Sequence, residues 1–159
     1  MISLTDAKNS LRCVKGQALV EFALVALLLV TLLLAITEFA RAWHCGNIMT
    51  NGARAGARFA SEQPKQPNAQ TFTSNVTNYT FGQITAQIGA VPGGDVFVNL
   101  SATGRSGQAK TFDNISSGDT ISVIVTYDFR ALSGEIIPVL DGTVPIVRRA
   151  AMMYQGPQQ

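Results

Sequence analysis

The amino-acid sequence predicts an α+β protein: one long N-terminal helix, apolar enough in its lower half to lie in a membrane and amphipathic in its upper half, with a small antiparallel β-sheet packed on the upper half. Three observations predict it. From Phe22 to Ile36 only Thr31 is polar. No proline occurs before Pro64, so nothing in that stretch breaks a helix. Beyond it, apolar and polar residues alternate with the two-residue period of strands, most clearly from Thr120 to Phe129.

Length and charge narrow the classes. A chain of 159 residues with 47% hydrophobic content suits one anchored domain. Twelve Lys and Arg face ten Asp and Glu, and the surplus is local: Lys8, Arg12 and Lys15 oppose only Asp6, leaving nine of each sign from Gln17 onward. No basic stripe is left to attract nucleic acid by counterion release. The two cysteines, Cys13 and Cys45, flank the apolar block. On opposite sides of a membrane they could not pair within one chain, and neither has neighbours at a metal-ligand spacing.

Basic residues followed by an apolar block fit three N-terminal segments. A secretory signal would be cut at Ala40-Arg41-Ala42, a poor site because Glu38 and Arg41 flank it. A plain anchor would not be cut, and Glu21 would then be a carboxylate snorkelling near a membrane boundary. The third reading looks at Lys15-Gly16-Gln17-Ala18-Leu19-Val20-Glu21-Phe22. Cleavage after Gly16 would create an amino group on Gln17, with Glu21 about one helical turn further on. A charge near the centre of a bilayer costs roughly 2.5 to 3.5 kcal/mol on insertion scales, and less near the interface. An amine one turn away, in the same chain or in a neighbouring subunit, would offset that cost. A lipoprotein site is excluded, because Trp43-His44 puts two bulky rings before Cys45.

Past Glu38 the residues remain helix formers to about Glu62. Arg41, His44, Asn47, Asn51, Arg54, Arg58 and Glu62 recur at steps of three and four. Phe39, Ala42, Trp43, Gly46, Met49, Ala53, Gly56, Ala57 and Ala60 fill the opposite face. A helix from Gln17 to Glu62 would be about 69 Å long against a hydrocarbon core of about 30 Å, so its upper half must stand outside the membrane. Phe39, Trp43, Gly52 and Gly56 are the expected helix–sheet contacts, the two glycines seating a sheet rather than another helix.

The sequence resembles the Flp and TadE-type pilins of tight-adherence systems. The resemblance rests on Gly16 and Gln17-Ala18-Leu19-Val20-Glu21-Phe22, and continues through Ala23-Leu24-Val25, Glu38-Phe39-Ala40-Arg41 and Ala53-Arg54-Ala55-Gly56-Ala57-Arg58. It covers roughly the first sixty residues and departs at Leu27, where such proteins commonly have proline, and at Ala55, where they have an acidic residue. It implies a type IV pilin-like layout and a prepilin peptidase cutting between Gly16 and Gln17, with Glu21 and Phe22 serving assembly. The implied protein is a minor pilin or pseudopilin of a tight-adherence pilus, sited in a bacterial inner membrane with its C-terminal domain on the far side. Its partners would be the peptidase, other pilin subunits, the assembly platform and the membrane. An unprocessed single-pass binding or adhesion module, and a pseudopilin of a secretion machine, remain open beside it.

The expected organisation is a leader over 1–16, a long helix over 17–62 with its transmembrane part at about 18–37, a linker over 63–70 and a small α+β domain over 71–159. In that domain Phe72, Val76, Tyr79, Ile84 and Ile88 recur at helical spacing over about 71–88. Val96, Val98 and Leu100 alternate with Phe97, Asn99 and Ser101 as in a half-buried strand. Gly104-Arg105-Ser106-Gly107 reads as a hairpin turn, and Ser116-Ser117-Gly118-Asp119 as the turn before the Thr120 strand. A last strand runs from Thr143 to Met153, where Pro145 points to a sheet edge. The apolar segment within Leu132–Leu140 reads as a loop folding over the sheet.

No catalytic chemistry is legible. His44 has no nucleophile or carboxylate at a catalytic spacing, and no phosphate loop, metal-ligand cluster or carboxylate pair occurs. The chain is expected to be structural, with no catalytic residues, no metal, no cofactor and no small-molecule substrate. The Asn-x-Ser/Thr triplets at Asn75, Asn78, Asn99 and Asn114 belong to a Thr- and Asn-rich surface.

Overall fold

A computed structural model describes residues 4–64, 68–88, 95–131 and 142–156, with side chains from Gly16 onward. The chain divides into two compact units, Met1–Ala40 and Arg41–Gln159. Helix α1, Leu4–Glu62, contributes to both.

In the first unit the large apolar side chains from Leu19 to Ile36 are left exposed. Leu19, Phe22, Leu27, Leu28 and Leu33 are all exposed. None of the most apolar eighteen-residue stretch is buried, and the helix from Gly16 is long and apolar enough to cross a membrane. Its few hydroxyls are satisfied internally. Thr31 donates to the Leu27 carbonyl and Thr37 to the Leu33 carbonyl, so neither brings an unpaired donor into an apolar medium.

The second unit builds a core. Met49, Ala53, Ala57 and Ala60 on α1 meet Phe72, Val76 and Ile84 on α2, which spans Ala69–Ile88. A four-stranded antiparallel sheet follows: β1 Val96–Thr103, β2 Ala109–Lys110, β3 Thr120–Arg130 and β4 Thr143–Met153, in the order β2-β1-β3-β4. Strand β3 sits between β1 and β4, and its Ile121, Val123, Val125, Tyr127 and Phe129 are all buried on one face. Burying one such side chain is worth about 1.5 to 3 kcal/mol, which makes this strand the spine of the unit. The ring of Phe72 stacks on Phe112, in a short 3₁₀ turn at Phe112–Asn114, with centroids 5.1 Å apart. Long N-terminal helix plus packed antiparallel sheet is the α+β, pilin-like layout expected.

Several boundaries differ in instructive ways. Helix α2 begins at Ala69, earlier than the expected 71, because the Asn68 carboxamide accepts a hydrogen bond from the Gln70 N–H at 2.9 Å and caps the first turn. Strand β2 and the 3₁₀ turn had no forecast in the periodicity. Pro145 does lie on an edge strand. The turn at Ser116–Asp119 is present, with Gly118 at φ +91° and the Asp119 N–H bonded to the Ser116 carbonyl at 3.0 Å. The expected loop at Leu132–Leu140 lies outside the described residues.

Candidate functional site

The expected processing and assembly segment lies on the exposed apolar part of α1. Gly16 falls in the interior of the helix, where a Cβ would meet nothing within 4 Å, so no packing contact among the described residues calls for a glycine. Gln17 and Glu21 are exposed, and Phe22 is 71% exposed. Between Lys15 and Glu38, Glu21 is the only charged residue in the sequence. On one helix, positions 17 and 21 are one turn apart and share a face.

Of the expected helix–sheet positions, Phe39 is 70% exposed and Trp43 is 64% exposed. Gly52 and Gly56 are buried, but what approaches them is α2: a Cβ on Gly52 would run into the Ile84 side chain, and one on Gly56 into the Thr80 hydroxyl. Thr80 cannot easily yield, because it is fully buried and donates to the Val76 carbonyl at 2.7 Å. Small residues on α1 therefore seat a second helix from the same domain. The stacked rings of Phe59 and Tyr79, 4.1 Å between centroids and 9° apart in plane, continue that seam upward.

Contacts to the sheet come from other residues of α1. Arg41 lies over the Phe129 ring, 5.4 Å from its centroid. The buried Tyr127 hydroxyl bonds the Cys45 sulfur. Burial pushes the Cys45 thiol above its usual 9.0, outweighing the lowering by Arg41 and by that hydrogen bond, so the thiol stays protonated at neutral pH. Burial likewise raises Tyr127. Higher up, the Tyr154 hydroxyl donates to the Gln63 carbonyl at 2.9 Å, and the Gln155 N–H to the Ser61 carbonyl at 3.1 Å. These pairs join positions far apart in sequence, and no local pattern announces them.

A shallow groove of about 520 Å³ opens beside the helix seam, lined by Arg54, Ala55, Arg58, Phe59, Glu62, Tyr79 and Met152. Arg58 pairs with Glu62 at 3.3 Å, both side chains well exposed, which is worth little on its own. His44 is exposed. Among the described residues no three His, Cys, Asp or Glu side chains gather as metal ligands. The arrangement offers surfaces and a membrane-length helix for association.

No curated protein and no solved structure matches the chain. Residues 16–58 match the family model described as TadE-like protein. The match begins at Gly16, runs the length of the apolar block and ends at Arg58, in the seam where α1 seats α2. Over this segment, about a quarter of its length, the chain is similar to the TadE-like family.

Proposed function

We propose that the chain is a minor pilin of a tight-adherence pilus, cut by a prepilin peptidase between Gly16 and Gln17 and carried into a multisubunit assembly by its apolar helix. One observation carries the reading: a glycine with no packing role sits inside a helix, immediately before an exposed apolar run that holds a single carboxylate. Glycine in a helix interior costs about 1 kcal/mol relative to alanine. Gly16 is therefore a weak point at which a peptidase can draw the backbone out of the helix. Cutting there leaves the Gln17 amine one turn from Glu21. The amine of one subunit and the Glu21 carboxylate of its neighbour then neutralise each other within lipid, where each alone is costly.

In this reading the first unit is the membrane anchor and the site of lateral packing. The second unit projects on the extracytoplasmic side, consistent with Lys8, Arg12 and Lys15 preceding the apolar block. The role is non-catalytic, and the partners are the peptidase, other pilin subunits and the assembly platform of the inner membrane.

The test is mass spectrometry of the protein from membranes of cells with an active prepilin peptidase. The expected mature chain begins at Gln17. A chain beginning at Met1 identifies an unprocessed anchor, and one beginning after Ala42 identifies a secretory signal; either ends the proposal. Glu21→Ala should still be cleaved, yet crosslink to other subunits far less than the unaltered chain.

A further inference from the structure

The exposed edge of the sheet is not uniform. Strand β4 is the last in the order, and its main chain alternates between groups that face β3 and groups that face away. The parity follows from two hydrogen bonds. The Asp128 N–H donates to the Asp95 carbonyl at 3.2 Å, so it points across to β1, and Pro145, opposite Asp128, directs its main chain off the edge. The Tyr154 N–H donates to the Asp119 carbonyl at 2.7 Å, so Tyr154 and the residues at steps of two before it point inward. Val147, Arg149, Ala151 and Met153 therefore point outward with Pro145.

The lower half of this edge is blunted. Pro145 has no N–H to offer, and the Val147 carbonyl accepts a hydrogen bond from the Arg148 guanidinium at 3.0 Å. Prolines and charged side chains are common devices for closing a sheet edge. In the upper half the one charged side chain, Arg149, is drawn across the sheet face to Ser122, and among the described residues Arg149, Ala151 and Met153 make no backbone hydrogen bond to any other element. Beside this open half lies the groove of Arg54, Arg58, Phe59, Tyr79 and Met152. Its charge is positive through Arg54, which is in no ion pair among the described residues, since Arg58 is balanced by Glu62; Arg149 lies on the other sheet face, anchored to the Ser122 hydroxyl at 2.9 Å. The buried acid Asp119 is already neutralised by Lys110 at 2.7 Å.

We infer that the Arg149–Met153 half of β4 accepts an extended acidic segment of another protein, which adds a short strand to the sheet and turns the carboxylates of one face toward Arg54. A second copy of this chain pairing through β4 is a poor occupant, because that strand holds Arg148 and Arg149 and no acidic residue to face Arg54. Main-chain hydrogen bonds supply the attachment and Arg54 chooses the sign of the partner. The inference concerns the folded second unit and holds whether or not the chain is cleaved.

The experiment uses the full chain in detergent micelles and two labelled, end-blocked hexapeptides, one alternating valine with glutamate and the other valine with lysine, with binding read by fluorescence anisotropy. The glutamate peptide should bind at least about tenfold more tightly than the lysine peptide, and lose its advantage at high salt. Ala151→Pro removes one outward N–H without touching the ladder to β3, and should weaken the glutamate peptide about tenfold at unchanged Tm. Arg54→Glu should weaken it as well. In the unaltered chain, saturating peptide should slow amide exchange at Arg149, Ala151 and Met153. No binding of either peptide, equal binding of both, or unchanged amide exchange at those three positions overturns the inference.

Discussion

The two units of this molecule use the same helical backbone in opposite ways. From Leu19 to Leu34, α1 is covered with leucines and valines that are exposed, and its stability must come from a surrounding apolar medium or from neighbouring helices. From Arg41 onward the same helix carries alanines, glycines and Met49 on one face, and buries that face within its own chain. Large side chains serve where the partner is lipid or another subunit, and small ones serve where a second helix must come close. Substitutions in the two halves should therefore fail in different assays.

The largest expected effect is at Gly56. In Gly56→Leu the new side chain would have to displace Thr80, which is buried and hydrogen-bonded to its own helix. Overpacking of this kind costs about 3 kcal/mol, and a further loss follows if α2 detaches from α1. Thermal unfolding of the second unit, followed by circular dichroism in detergent, should shift down by about 10 °C or more. Insertion of the first unit into membranes should not change. Loss of membrane insertion alongside the shift would break the comparison.

Leu28→Lys is the reciprocal experiment. Leu28 is 65% exposed within the apolar block, and a lysine near the middle of a bilayer costs about 2.5 to 3.5 kcal/mol on insertion scales. Alkaline extraction should release more of the variant from membranes, whereas the Tm of the second unit should stay where it was. A fall in that Tm would mean that the apolar block also supports the folded unit, contrary to the division drawn above.

The sequence disclosed these halves unequally. The first unit was legible because its signal is compositional: one polar residue between Phe22 and Ile36 admits few other interpretations. In the second unit, β3 and β4 announced themselves through alternation, and Pro145 through its missing N–H. The partner of Gly52 and Gly56 was not legible, since a four-residue spacing of glycines says that something comes close without saying what. Trp43 shows the same limit from the other side. Helical spacing placed it on the apolar face, but only the tertiary structure could show that it stays 64% exposed. The two-residue β2 is defined by its pairing with β1, and Cys45 meets Tyr127 across 82 positions of sequence, so neither leaves a local trace. The candidate segment at Gly16 and Glu21 was readable as a motif, but its role depends on a peptidase and on neighbouring subunits.

The smallest expected effect separates the units by pH. Asp119 accepts hydrogen bonds from the Lys110 ammonium at 2.7 Å and from the Ser116 N–H at 2.8 Å, and thereby ties β2 to the turn that launches β3. Those bonds, the lysine first, hold its carboxyl below the ordinary 3.8. A carboxyl depressed on folding stabilises the native state above its unfolded value, and that stabilisation fades as the pH falls through the lower, folded value. Asp119→Asn removes the charge that binds Lys110 while keeping the shape. Its Tm should lie a few degrees below that of the unaltered chain at neutral pH, and the two curves should converge as the pH falls below 3.8. A constant gap down to strongly acid pH would show that the clamp works by shape alone, and that the folded unit carries no acid-sensitive tie at this turn.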